Sequence, residues 1–340
     1  MKFLRNKIGD ISNADPRKSQ RVNTLIVVIF ALIAGLIISR NLGLNDLIGG
    51  NEGYYGVMAR NILEDPSYII NTSLSPLGEP GDKPPLYPLI LSGSLKIGGI
   101  DEIPLRMVSV IASLLTGVLL FFTVRMASGG RTGVLSGIIY LSTPLLANTG
   151  RHVAAEPVLL MLSMAGVFLF MLGCRRNSLV AAFISGILFA AGFLCKLWLA
   201  LLPAFGVMAG MTIFELTAGQ QEKWNFRVIQ ILLSAAAGFI VLAPIQLVLC
   251  AIFSPDSLGH WLKIYFGFSL VSRTTGTGFA SYWIQPWYFY LMTLGRALAL
   301  YLPLIIAGIF SFGKVWRRSP TGMIVFAWLL PLIPMSVIPV

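Results

Sequence analysis

Long apolar runs separated by short polar segments make up most of the chain. A helix that crosses a bilayer needs about 20 mainly apolar residues. The pattern predicts membrane-spanning helices at residues 22–39, 103–124, 132–149, 157–173, 178–195, 197–214, 228–252, 287–311 and 322–340. The expected fold class is therefore an all-α polytopic membrane protein, with residues 22–340 forming one transmembrane bundle rather than two globular domains.

The segment Pro85–Ile97 is also apolar, but it is short for a crossing. If it crossed, the basic residues that follow the second and fourth predicted spans would move to the outer side, against the preference of basic loops for the cytoplasm. We therefore predict a juxtamembrane or re-entrant helix on the outer side. The basic segment 1–21 is then cytoplasmic, and two long loops, 40–102 and 253–286, lie outside.

Composition and charge agree with this topology. Hydrophobic residues make up 56% of the chain and charged residues 11%, whereas soluble domains have about 25% charged residues. The segments predicted to be cytoplasmic carry the whole net charge of +11, so the positive-inside rule explains the charge without a nucleic-acid partner. The polar first 21 residues contain no cleavable signal, and we expect the first span to be retained. The expected location is the cell membrane.

Two further features concern chemistry and chain length. The three cysteines have no CxxC spacing, so neither a metal cluster nor a disulfide framework is expected. The sequence stops inside an apolar run at Val340. We expect the chain to be truncated at its C-terminus, as part of a longer protein with more spans.

A polar island, residues 51–85, interrupts the apolar pattern between the first two spans. Residues 51–64 predict an amphipathic helix in which Glu52, Tyr55 and Arg60 share one face. Glu52 suits a general base or a cation ligand at the membrane surface. The alternative is an acidic residue that is favoured by the positive end of the helix dipole.

The island ends in Asp82-Lys83-Pro84-Pro85. The two prolines fix the backbone where a helix begins, and they place Lys83 at the membrane boundary. A lysine there suits a phosphate group as a point charge. The alternative is an interfacial lysine whose stem lies along the membrane while its amine reaches water.

Polar residues at later span boundaries fall on the same predicted outer face. Arg151, His152 and Glu156 precede or open a span, and Pro157 argues against one helix through all of them. A single HxxxE is a weak metal signal, and Glu156 suits either a second site carboxylate or a helix N-terminal acid. Lys196 is a second phosphate ligand or a turn residue. In the 253–286 loop the tryptophans fit an aromatic belt, and the role of Arg273 stays open.

The order of these motifs resembles that of the dolichyl-phosphate-mannose protein mannosyltransferase-like family, C-type (GT-C) glycosyltransferases that include the lipid A aminoarabinose transferases. The resemblance rests on NEGYYGVMARNILE, on GDKPPLYPLILSGSLKIGG, on Arg151 before Glu156-Pro157, on Gly192–Lys196 and on Pro286–Tyr290. The first motif together with DKPP is fairly specific, and the later ones are weak individually. The resemblance extends over residues 22–340.

The resemblance implies transfer of a sugar from a polyprenyl-phosphate carrier to an acceptor on the extracytoplasmic face. In the family the first acid of an Asp-Glu pair is the catalytic carboxylate, whereas this chain has Asn51 there, followed by Glu52. Either Glu52 or Glu156 has taken that role, or the activity is altered. The remaining residues that we expect to bind substrate are Asp82, Lys83, Tyr55, Arg60, Arg151, His152, Lys196 and Arg273.

The expected function is an integral-membrane glycosyltransferase with a polyprenyl-phosphate sugar donor and a protein, glycolipid or wall-glycan acceptor. No metal is required by the sequence, and a divalent cation stays open as a cofactor. A transporter or flippase of lipid-linked sugars is the alternative from another class, but it predicts polar residues at mid-membrane on several spans. Here Arg296 is the clearest such residue and Gln246 a milder one. An inactive, binding-only relative is the third possibility.

Overall fold

The computed structural model describes residues 16–44, 46–47, 50–71, 83–143, 146, 149–202, 204–209, 221–272 and 292. All regular structure in these ranges is helical. The helices are α1 (Pro16–Ser39), α2 (Asn51–Glu64), α3 (Tyr68–Asn71), α4 (Leu86–Gly98), α5 (Glu102–Ser128), α6 (Gly130–Leu141), α7 (Ala155–Arg176), α8 (Leu179–Lys196), α9 (Gln221–Leu242), α10 (Ile245–Phe253) and α11 (Pro255–Leu262), with a 3₁₀ turn at Leu197–Ala200 and a π-helix at Lys263–Ser272.

Five helical segments are long and apolar enough to cross a membrane. They are Ser19–Ser39, Glu102–Ser128, Ala155–Arg176, Leu179–Lys196 and Val228–Phe253. Each coincides with a span that the hydropathy pattern predicts, and the chain is a multi-pass membrane protein. The last segment bends at Ala243-Pro244, where α9 ends and α10 begins, because proline cannot donate to the helical ladder.

The other predicted spans differ from the structure or lie outside its described part. The predicted span 132–149 is wrong in extent, because α6 ends at Leu141 and Pro144 disfavours helical backbone in the residue before it. The predicted span 197–214 begins as a 3₁₀ turn, and only its residues up to 209 are described, without 203. Spans 287–311 and 322–340 lie outside the described residues, apart from residue 292.

The two predicted helices of the polar island are present. The helix predicted at residues 51–64 is α2, and Pro85–Ile97 corresponds to α4, which starts directly after the two prolines. The helices α2 and α4 pack against each other, and α4 also packs on α5. One apolar cluster, with Tyr55, Tyr87, Leu105, Val158 and Cys195 among its members, joins α2, α4, α5, α7 and α8.

The helices α7 and α8 form an antiparallel hairpin. The turn between them uses Asn177, whose φ of 52° is in the left-handed region that asparagine tolerates. The hairpin returns the end of α8 to the start of α7, so Lys196 and Glu156 lie at the same end of the bundle. The hairpin continues into α9, which packs closely against α8.

Candidate active site

The Glu52 carboxylate is buried and is held by several donors. Arg106 of α5 binds it through Nε to Oε1 (3.4 Å) and through Nη2 to Oε2 (3.2 Å). The backbone N–H of Val153 donates to Oε1 at 2.7 Å, and His152 Nδ1 lies 3.3 Å from the same oxygen. We call Glu52, Arg106, His152 and the Val153 amide the Glu52 network. Both carboxylate oxygens accept hydrogen bonds, so Glu52 is poorly placed to accept a proton from a substrate.

Arg106 connects the Glu52 network to the loop after α1. Its Nη1 donates to the Leu42 carbonyl and its Nη2 to the Asp46 carbonyl. The Arg106 side chain is 5% exposed and that of Glu52 is 7% exposed. A buried charge needs such partners, because removing an ion from water is expensive. The network therefore fixes the loop after α1 to α5.

The segment that leads into α7 is held at several points. Besides the bond from Val153 to Glu52, the Ser109 hydroxyl lies 3.4 Å from the Ala154 carbonyl and 3.5 Å from its N–H. Arg151 Nη2 donates to the Arg40 carbonyl at 2.8 Å. Because α7 begins at Ala155, these contacts fix the position of Glu156 in its first turn.

Glu156 forms a second charged group that is more open to solvent. Its Oε1 is ion-paired with Lys196 Nζ, and the Glu156 side chain is 50% exposed. The positive charge of Lys83 also acts on this carboxylate. Lys83 itself lies over the ring of Tyr54, with Nζ 5.5 Å from the ring centroid. We call Glu156, Lys196 and Lys83 the Glu156 cluster.

The backbone at Lys196 is unusual. The helix α8 ends there, and the next residue, Leu197, has φ 53° and ψ −137°. A leucine rarely adopts a positive φ, and such strain persists only where surrounding contacts impose it. Leu197 is buried in an apolar cluster with Phe193, Trp261 and Tyr265. This packing supports the sharp turn that follows Lys196.

Aromatic side chains underlie the site. Tyr55 is buried and packs edge-to-face on Tyr87 of α4, with centroids 4.8 Å apart. Burial raises the pKa of the Tyr87 phenol, so this group stays neutral at physiological pH. Tyr55 is one of the residues predicted to bind substrate, and in the structure its ring is buried against Tyr87. The accessible ring on α2 is that of its neighbour Tyr54.

The other predicted site residues have different surroundings. Asn51 is the exposed first residue of α2, after Gly50 with φ 87°. Arg60 lies on the exposed surface of α2, where its Nε donates to Glu64 Oε1 at 2.8 Å, so it does not share the buried face of Glu52 and Tyr55. Asp82 and Arg273 lie outside the described residues. Within the described ranges, no three His, Cys, Asp or Glu side chains are grouped to hold a metal ion.

Arg106 is the main residue that the sequence reasoning missed. It lies in the predicted span 103–124, and an ionisable residue inside a span is a candidate functional residue by default. The sequence shows Arg106 inside this span. Because it closely follows Asp101 and Glu102, however, it resembles the charged residues that flank a span. Its partner Glu52 is distant in sequence, and no local spacing connects the two.

Comparison with known proteins agrees with this architecture. Residues 82–248 match the model of the dolichyl-phosphate-mannose-protein mannosyltransferase family. This range includes Lys83, Arg106, Glu156 and Lys196. A search of curated proteins found no match.

Solved structures share the fold at low sequence identity. ArnT from Cupriavidus metallidurans bound to undecaprenyl phosphate superposes with a TM-score of 0.71 at 14% identity, covering 92% of this chain and 56% of ArnT. Its apo state gives a TM-score of 0.68 at 16% identity, covering 92% and 55% of the two chains. This chain thus spans little more than half the length of ArnT.

A second kind of transferase shares the fold more distantly. The oligosaccharyltransferase of Archaeoglobus fulgidus, tethered to an acceptor peptide with an NVT sequon, superposes with a TM-score of 0.57 at 14% identity, covering 94% of this chain and 47% of the enzyme. The chain therefore has the helical membrane fold of these GT-C-type transferases, and nearly half of it, residues 82–248, matches the mannosyltransferase family model.

Proposed function

We propose that the chain transfers a sugar from a polyprenyl-phosphate donor to an acceptor hydroxyl, with the Glu156 cluster as the reaction site. The observation that carries this proposal is the half-exposed Glu156 carboxylate in its ion pair with Lys196, at one end of a helical bundle. The charge of Lys83 also acts on this carboxylate. The structure of ArnT with undecaprenyl phosphate supports a donor of the same class.

The different burial of Glu52 and Glu156 leads us to assign them different roles. Glu52 is enclosed by Arg106, His152 and the Val153 amide, and we assign it a positioning role. Glu156 is open to solvent and uses Oε1 for its ion pair with Lys196, and we assign it the role of general base. Among the alternatives for the base that the sequence leaves open, this geometry favours Glu156.

In the proposed reaction one bond forms at the anomeric carbon and one bond breaks. The acceptor oxygen bonds to the anomeric carbon of the sugar while the bond from that carbon to the phosphate oxygen breaks. The electron pair of the broken bond stays on the phosphate, where Lys83 and Lys196 stabilise the added negative charge. Glu156 takes the proton of the acceptor hydroxyl. Asp82, Arg151, His152 and Arg273 remain proposed contacts to donor or acceptor.

The orientation is part of the proposal. The basic loops favour a cytoplasmic N-terminus, which would put the Glu156 cluster on the extracytoplasmic side. The acceptor there would be a protein, a glycolipid or a wall glycan. A lipid-linked donor reaches this end of the bundle through its apolar tail, which remains in the membrane.

The test is transfer of radiolabelled sugar from a panel of polyprenyl-phosphate donors, in membranes that contain the wild-type protein, Glu156→Gln or Glu52→Gln. We expect wild type to release label from the carrier and Glu156→Gln to lose at least 100-fold in rate. Glu52→Gln should lose activity in proportion to the loss of folded protein. Full activity of Glu156→Gln would overturn the assignment of the base.

The position of Asn51 gives a matched control. An aspartate there restores the acidic residue that the family resemblance leads one to expect. If Glu156 is the base, Asn51→Asp leaves Glu156→Gln inactive in the double variant. Recovery of transfer in the double variant would instead place the base at the start of α2.

A further inference from the structure

A groove lies between α1 and α5, at the end of the bundle opposite the Glu156 cluster. Its volume is about 520 Å³, and it is lined by Gln20, Arg21, Thr24, Leu25, Val28 and Arg125. We call it the Arg21–Arg125 groove. Among the described residues, the lining has two arginines, two uncharged polar side chains and two aliphatic side chains, and no carboxylate.

The position of the groove matches one edge of a bilayer. Arg125 follows Arg106 by nineteen residues on the single helix α5, and Arg21 precedes Arg40 by the same number along α1. At 1.5 Å per residue, each separation is about 28 Å, close to the roughly 30 Å thickness of the hydrocarbon core. Because Arg106 and Arg40 contribute to the site end, the groove lies at the opposite membrane–water boundary.

The Arg125 guanidinium is fixed in place. Its Nη1 donates to Thr24 Oγ1 at 3.4 Å, and its Cζ lies 5.8 Å and 6.0 Å from the ring centroids of Phe121 and Phe122. Such cation–π contacts orient a guanidinium. Among the described residues, neither Arg125 nor Arg21 forms an ion pair with a carboxylate. An anion between them would supply the missing negative charge.

The apolar wall of the groove faces the lipid. Leu25 is 58% exposed and Val28 is 38% exposed, and both follow Arg21 along α1 in the direction of the membrane interior. A molecule with an anionic head and an aliphatic tail would bind the arginines with its head and cover these side chains with its tail. Basic pockets between transmembrane helices recognise anionic lipid headgroups in this way.

We propose that the Arg21–Arg125 groove is a binding site for an anionic phospholipid of the membrane, separate from the site of sugar transfer. The phosphate lies between the two guanidiniums, which are well suited to phosphate oxygens. One acyl chain runs along Leu25 and Val28. The site stabilises the contact of α1 with α5, and it makes no use of the Glu156 cluster.

The test is a titration of the purified protein with phosphatidylglycerol, followed by native mass spectrometry. Wild type should bind phosphatidylglycerol at least tenfold more tightly than phosphatidylcholine. The double variant Arg21→Gln/Arg125→Gln should weaken binding of phosphatidylglycerol at least tenfold. Arg131 and Arg176 are exposed arginines at the same end, so Arg131→Gln/Arg176→Gln is the control with equal charge and should bind like wild type. Equal loss in both double variants would overturn the proposal.

A second variant keeps every charge. Leu25→Trp fills the groove without removing an arginine, so it should weaken phosphatidylglycerol binding while the protein keeps its wild-type Tm in detergent without added lipid. This variant decides the question if the arginine variants do not fold. Competition by millimolar inorganic phosphate as strong as that by the lipid would indicate a site for free phosphate and would overturn the lipid assignment.

Discussion

Arg106 binds both oxygens of Glu52, and the two side chains are among the most deeply buried charged groups in the described part of the chain. They come from helices that are 54 residues apart in sequence. The same carboxylate also accepts the N–H of Val153, just before the helix that carries Glu156. The Glu52–Arg106 pair is therefore one of several contacts that hold the segment leading to the proposed base.

Breaking this pair is expected to destabilise the protein. Glu52→Gln leaves the buried Arg106 charge without its carboxylate partner, and removing one partner of a buried ion pair costs about 3–5 kcal/mol. The measurement is thermal unfolding of the purified protein in detergent, together with transfer activity per folded molecule. We expect a clear fall in Tm, with the remaining folded fraction keeping most of its activity.

Arg60 and Glu64 provide a matched control on the same helix. They also form an arginine–glutamate pair, at 2.8 Å, but their side chains are 62% and 57% exposed. An exposed pair of this spacing contributes about 0.3–0.5 kcal/mol, so Arg60→Gln should leave Tm unchanged. A Glu52→Gln protein with the Tm of wild type and no activity would contradict the positioning role and make Glu52 a reacting group.

Lys83 is expected to act on the donor rather than on stability. Lys83→Ala removes one of the two proposed phosphate ligands, and loss of one such electrostatic contact costs about 10²–10³ in rate. The protein should still insert and fold. The measurement is kcat/KM for the polyprenyl-phosphate donor. Lys96 is an exposed lysine in the last turn of α4, and Lys96→Ala is the control that should keep wild-type kcat/KM. Normal turnover of Lys83→Ala would remove the lysine from the site.

The sequence predicted the parts of the fold that depend on local pattern. Apolar runs give the five long membrane helices, and the double proline before Leu86 gives the start of α4. The extent of the third predicted span was wrong, because hydropathy averages over Pro144 while the helix ends at Leu141. Periodicity also predicted the helix α2. The predicted shared face of Glu52, Tyr55 and Arg60 was only partly right, because Arg60 is exposed.

The candidate site was harder to predict, because it depends on contacts between distant segments. Glu156 and Lys196 were singled out separately, and the α7–α8 hairpin brings them together. The difference between Glu52 and Glu156 is one of burial, which the partners on α5 and the segment before α7 determine. No spacing in the chain shows which of the two carboxylates meets solvent.

A buried hydrogen-bond network joins α3 to α10 and to the π-helix that follows α11. The Tyr265 hydroxyl donates to Gln246 Oε1 at 2.6 Å, and Gln246 Nε2 donates to the Ile70 carbonyl at 3.4 Å. Tyr265→Phe leaves the buried amide oxygen without its donor, which costs about 1–3 kcal/mol. We expect faster hydrogen exchange in residues 68–71, measured by mass spectrometry on the intact protein.

Tyr68 provides the control for this network. Its hydroxyl forms no hydrogen bond with any other residue of the described ranges, and its side chain is half-buried in α3. Tyr68→Phe removes the same atom from the same loop, and it should leave the exchange of residues 68–71 unchanged. Equal exchange in Tyr265→Phe and wild type would show that Gln246 does not hold the loop through Tyr265.

The crossing of α8 and α9 depends on two glycines that face opposite backbones. A Cβ at Gly186 would overlap the Ala235 carbonyl, and a Cβ at Gly238 would overlap the Phe183 carbonyl. Small residues allow such close approach of membrane helices, so Gly186→Ala should force the helices apart and lower Tm.

Gly93, in the middle of α4, is the matched control for this crossing. A Cβ there meets no atom within 4 Å, and alanine is favoured over glycine in a helix by about 1 kcal/mol. Gly93→Ala should therefore keep or raise Tm, measured in the same detergent. Because α8 carries Lys196, separation of α8 from α9 should also lower transfer in Gly186→Ala more than its folded fraction accounts for. A Gly186→Ala protein with wild-type Tm would show that α8 and α9 can move apart without loss of stability.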